Sequence, residues 1–82
     1  MSVSSREAAI MVEDLHGARN QVAEWSQGSA DFLDGCRRTA ANYPKWTPSA
    51  KQATWLARLH VKFVDEDGIG AEILASARSA GD

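Results

Sequence analysis

Apolar residues recur at three- and four-residue intervals through the first third of this chain: Ala8, Met11, Val12, Leu15, Ala18, Val22 and Trp25. An α-helix brings such positions onto one side, whereas a half-buried strand would need strict alternation, which no segment here shows. The start is marked too. Ser4 followed three residues on by Glu7 makes a capping box that satisfies orphan amide donors, and Glu7 suits the positive end of the helix dipole. Gly17 lies inside the stripe and costs about 1 kcal/mol relative to Ala. The segment therefore runs as one helix or breaks near His16 and Gly17 into two.

The same period returns twice more. "SQGS" at 26–29 has turn chemistry, and Ser29 can cap a second helix in which Phe32, Leu33, Cys36 and Ala40 share a face. That helix ends before "NYPKW", because Pro44 disfavours helical geometry at Tyr43. A third helix is expected with Thr47 as N-cap and Pro48 at the first helical position. Gln52, Trp55, Leu56, Leu59 and Phe63 form its inner stripe, and Lys51, Arg58 and Lys62 an outward band beside it. Asp65, Glu66 and Asp67 oppose the dipole at its end and belong beyond it. "DGIG" is a turn, followed by a short last helix over 71–80 with Ile69, Ile73, Leu74 and Ala77 facing inward. The expected fold is all-α: a small bundle of three to four helices joined by short loops, one domain over 1–82 with frayed ends at about 1–4 and 79–82.

A chain of 82 residues is near the size at which one apolar core only just suffices. The lone Cys36 rules out an internal disulfide, and only six aromatic residues are present, so each large apolar side chain counts. No run approaches the ~18 to 20 apolar residues that span a bilayer, and the N-terminus lacks the basic region and cleavage pattern of a signal peptide. The expected setting is the cytoplasm, without membrane contact. A free cysteine fits that reducing compartment.

Few residues offer chemistry. "DEDGIG" resembles part of a calcium loop, but placing Asp65 and Asp67 at its third and fifth positions puts Phe63 at the first and Leu74 at the twelfth, where carboxylates are required. Zinc needs about four ligands, and one cysteine with His16 and His60 at unrelated spacing does not supply them. Cys36 reads as a small core residue and His60 as a solvated side chain on a helix surface. No glycine loop cradles a phosphate, and Glu13, Asp14, Asp31 and Asp34 are dispersed like the charges of solvated helix faces. No enzyme activity, metal or cofactor is expected.

Charge is more informative. Between Gly35 and Val64 stand Arg37, Arg38, Lys45, Lys51, Arg58 and Lys62 and no acid, while the rest of the chain holds three bases against all eleven acids. Six bases that reach a common surface would attract phosphates, and Tyr43 and Trp46 flank Pro44 in the intervening loop, where exposed rings could stack on bases or fill a partner's pocket. Against this stands a plainer reading, in which Trp46 packs on the third helix as a hydrophobic staple and the bases only solvate their faces. Trp55 is assigned to the core. Helix-turn-helix readout fits poorly, because "NYPKWT" is longer and bulkier than the usual tight turn and Pro48, Ser49 and Ala50 offer little to a base edge.

"EWSQGSADFLDGCRR" followed by "WTPSAKQATWLARLHVKF" resembles a helical module of small bacteriophage and mobile-element proteins: a tryptophan, a phenylalanine seven residues on, then a Thr- or Ser-initiated helix carrying K-Q-x-x-W-L. The matching residues are Trp25, Phe32, Leu33, Lys51, Gln52, Trp55 and Leu56, over roughly residues 23–63. The resemblance implies an antiparallel helical pair clasped around tryptophans and a phage or prophage origin, and it carries over no catalytic residue. The expected function is a non-enzymatic accessory or regulatory module contacting nucleic acid through Arg37, Arg38, Tyr43, Lys45, Trp46, Lys51, Arg58 and Lys62. The alternative is an adaptor or inhibitor that binds a larger protein or a second copy of itself, its docking steered by the same charge asymmetry.

Overall fold

The capping box at the start of the chain forms as read. In the computed structural model, which describes residues 3–81, the Ser4 hydroxyl accepts from the Glu7 amide and Glu7 returns the bond to the Ser4 amide, both at 3.1 Å. Helix α1 (Ser5–His16) follows, burying Ala8, Met11, Val12 and Leu15. It ends at Gly17, and the Ala18 amide donates to Leu15 at 2.9 Å in a tight turn. A short α2 (Arg19–Trp25) then starts on a new phase. Of the two arrangements open for this segment, the chain adopts the broken one. The new phase buries Val22 but turns Trp25 outward, leaving it 56% exposed, so Trp25 does not complete the buried stripe.

Three expectations on caps and counts are corrected. Among the described residues there are five helices, not three or four. Helix α3 (Gln27–Asn42) is capped by Ser26, not Ser29: the Ser26 hydroxyl accepts from the Ser29 amide at 3.3 Å, and Ser29 is itself buried in the first turn. One extended residue, Ser26 at φ −159° and ψ 110°, is the whole joint between α2 and α3. Helix α4 (Ala50–Phe63) is capped by Ser49, not Thr47. Gln52 stands three residues after Ser49 and closes a reciprocal box at 2.8 and 3.2 Å, whereas Thr47 has Ala50 at that offset and nothing to return the bond.

Helix α5 (Ile69–Gly81) starts earlier than the expected 71, with Ile73 buried and Ile69 and Leu74 partly so. The inward placement of Ala77 falls on a side chain outside the described residues, as do Met1, Ser2 and Asp82 of the ends expected to fray. The acidic turn lies beyond α4 as read, with the Asp65 carboxylate accepting from the Asp67 amide at 2.9 Å.

The face α4 turns inward differs from the stripe of large residues. It buries Ala53, Leu56, Ala57, Leu59 and His60, while Trp55 stays 41% exposed at the rim. The cause is the closeness of α5: a Cβ at Gly70 would stand 2.6 Å from the Ala57 carbonyl oxygen and 2.9 Å from the His60 Cβ. Backbones this near require small residues between them, and the alanine side of α4 supplies them. His60 is correspondingly not a surface residue but 2% exposed. Helix α4 thus forms the centre, packing against both α5 and α1, while α3 packs against α1 and α2. Cys36 and Leu33 join the shared core with Met11, Leu15 and Leu56. No helix among the described residues is long and apolar enough to cross a membrane.

Candidate functional site

Four side chains form a stripe on the outer side of α4. At 100° per residue, Lys51, Arg58 and Lys62 all lie within about 60° of Trp55 and on the same flank of it, with the buried Leu56 and Leu59 on the other. The spacing of four, three and four residues keeps them stacked along the helix for about 16 Å. All three bases are exposed, and none pairs with a carboxylate among the described residues.

Aromatic rings back the stripe from across the bundle. The Phe32 ring lies flat against the Trp55 indole, with centroids 4.0 Å apart and planes at 8°. Nearer the end of α4, Trp25 meets Phe63 edge-on at 5.6 Å. Residue 25 faces 63 and residue 32 faces 55, so the α2–α3 segment runs antiparallel to α4. The Lys62 ammonium covers this second pair, 5.0 Å from the Trp25 ring centre and 5.7 Å from that of Phe63. A cation held over a ring is attracted by its negative face, which keeps Lys62 on the stripe.

Beside Trp55 runs an open groove of about 710 Å³, lined by Ala50, Lys51, Thr54, Trp55 and Arg58. Its charged residues are two bases. The Thr54 hydroxyl donates to the Ala50 carbonyl at 2.9 Å. A second depression, about 590 Å³, lies between α1 and α3 and holds Arg37 and Arg38 together with Glu13 and Asp34. Its electrostatics are largely cancelled. Arg37 Nε donates to Glu13 at 3.3 Å, and Arg19 of α2 grips Asp34 with both carboxylate oxygens engaged at 2.7 to 3.1 Å. Hydrogen bonding to Arg19 holds the Asp34 carboxyl below its ordinary range and raises Arg19 in turn.

The expected site residues are therefore divided among places. Lys51, Arg58 and Lys62 come together on α4; Arg37 and Arg38 belong to the α1–α3 depression. Lys45 and Tyr43 are exposed in the connection between α3 and α4, and Trp46 is half-buried, packed against the core. Trp55, Trp25, Phe32 and Thr54 had no place among the expected contact residues. The signal for Trp55 was its position between Lys51 and Arg58, four residues from one and three from the other. Cys36 is closed off, its thiol pushed up to about 11 by burial. Comparison with known proteins found no family model, no curated protein and no solved structure that matches this chain.

Proposed function

We propose that the protein is a non-enzymatic accessory or regulatory module that contacts nucleic acid through the cationic side of α4. The observation that carries this reading is the stripe of Lys51, Arg58 and Lys62 around an exposed Trp55, with no carboxylate partner for the three bases among the described residues. Phosphates supply the complementary charge, and release of their counterions drives the association. The protonated, buried Cys36 and the enclosed His60 support a role without catalysis. The reading takes the cytoplasm as the setting and involves no metal or cofactor. It is tested by measuring binding to single- and double-stranded DNA and RNA over a salt series. Binding that weakens steeply with salt is expected; absence at low salt, or indifference to salt, sinks it.

A second reading, a protein-binding adaptor or self-associating module, draws on α3. Gly28 and Gly35 stand seven residues apart on its exposed side, and an added Cβ would meet only the Ser26 hydroxyl at 3.9 Å in one case and nothing within 4 Å in the other. Glycine in a helix costs about 1 kcal/mol, and no neighbour among the described residues requires it here. Another backbone lying close along α3 would. Light scattering tests for the homodimer, and affinity capture with the purified chain tests for a different partner.

A further inference from the structure

Resting on the nucleic-acid reading, the geometry points to a single-strand site: one unpaired base stacks on Trp55, and the adjoining phosphates lie along Lys51, Arg58 and Lys62. The argument starts from the indole. Phe32 occupies one of its faces at 4.0 Å, yet Trp55 keeps 41% of its surface exposed, and Phe32 takes no part in lining the groove beside it. The ring is thus a wall, braced from the core side by a parallel ring and open on the side of Lys51, Thr54 and Arg58. Stacking needs a flat surface that does not turn away when a ligand arrives. Phe32 fixes the plane of the indole in advance, so little ordering cost remains at binding.

The charges fit a strand more closely than a duplex. Both bases of the groove lie on the same flank of the indole within about 60° of arc, so a phosphate at Lys51 or Arg58 belongs to the nucleotide whose base meets the ring. In a duplex the faces of the bases are covered by their neighbours, and a protruding ring reaches them only at the cost of unstacking a base step, a few kcal/mol. An unpaired base has a free face, and stacking on it tolerates any sequence. Lys62 extends the cationic line by one more turn, over Trp25, giving about 16 Å of track, the reach of a few nucleotides. An acidic peptide would answer the charge but leave the braced ring face without a planar partner.

The test compares an oligothymidylate strand, a mixed-sequence duplex of equal length and poly-glutamate, using the purified full chain and fluorescence anisotropy across a salt series. The strand is expected to bind about tenfold more tightly than the duplex, with three phosphate contacts giving a slope of about −2 in log affinity against log salt. Trp55→Leu should cost about tenfold on the strand and leave the slope unchanged, while Lys51→Gln with Arg58→Gln should reduce the slope by about 1.4. Trp55→Phe keeps a ring against Phe32 and should retain part of the affinity, and circular dichroism confirms that each variant is folded. Equal affinity for strand and duplex, or indifference to Trp55→Leu, overturns the single-strand site and leaves the broader reading standing. Tighter binding of poly-glutamate assigns the groove to a protein partner, and no binding of either nucleic acid at low salt overturns both.

Discussion

His60 Nε2 lies 3.0 Å from an Asp14 carboxylate oxygen, joining α4 to α1 across 46 residues of sequence. The other ring nitrogen, Nδ1, is buried and has no partner among the described residues. A carboxylate can only accept, so Nε2 carries the hydrogen of this bond.

Asp14→Ala removes the one side-chain partner that the buried imidazole has among the described residues. It should cost about 1–3 kcal/mol, because the ring keeps its burial and loses its bond. In a domain of this size that is a fall in Tm of about 4–8 °C per kcal/mol. His60→Leu, which withdraws both polar atoms together, should cost less than the sum of its separate losses, and adding Asp14→Ala to it should change little. Urea unfolding of the two single variants and the double variant checks this; additive effects would contradict the pairing.

Two glycines should respond to alanine with opposite signs. At Gly70 the new methyl would meet the Ala57 carbonyl at 2.6 Å, backbone that cannot step aside, so Gly70→Ala should destabilise by about 1–3 kcal/mol. At Gly35 the methyl meets nothing within 4 Å, and Gly35→Ala should stabilise by about 0.5–1 kcal/mol through helix propensity alone. Thermal melts of both variants decide the matter.

The Cys36 thiol should resist modification in the native state. Burial raises it from 9.0 to about 11, so at pH 8 it is protonated as well as enclosed. A disulfide reagent should label it slowly in buffer and rapidly in denaturant. The raised value also fixes the sign of an alkaline effect. This contribution to stability is fully present below about pH 9 and is lost as pH rises toward 11, since the unfolded thiol ionises first. Cys36→Ala should remove that part of the alkaline slope.

At the acid end the Arg19–Asp34 pair takes over. Its carboxyl is held below the ordinary 3.8, so its stabilisation is present above that value and is lost as pH falls through the lower folded value. Asp34→Asn should flatten the acid limb of a stability profile below about pH 4 relative to the parent. An unchanged limb would show the pair to be inert.

Much of the helical plan is legible in the residues themselves. Ser4 with Glu7 marks its own helix because the two side chains act within one turn, and Ser49 with Gln52 carries the same signature, outranking Thr47–Pro48. The interior positions Met11, Leu15, Leu33, Leu56 and Leu59 follow from period alone. What period cannot convey is how near two helices approach. Trp55 shares its stripe with Leu56 and Leu59, and only the closeness of α5 at Gly70 shows that α4 is rotated to bury Ala53 and Ala57 instead. Trp25 illustrates the same limit, since its outward turn depends on the phase break at Gly17 and Ala18. The bases of α4 are visible as a set in the sequence, but period alone assigns the ring that accompanies them to the interior.

The centrality of α4 also has a consequence for the order in which the chain assembles. Helices α4 and α5 form the most extensive pairing and are separated only by residues 64–68, so bringing them together costs little chain entropy. The contact between α1 and α4 closes a far longer loop, and each doubling of loop length adds about 0.6 kcal/mol. Assembly therefore favours the local pairs, α4 with α5 and α2 with α3, before α1 closes onto α4. Synthesis sets the opposite condition for the long closure: α1 leaves the ribosome before α4, and its apolar face lacks that partner until the intervening helices have followed.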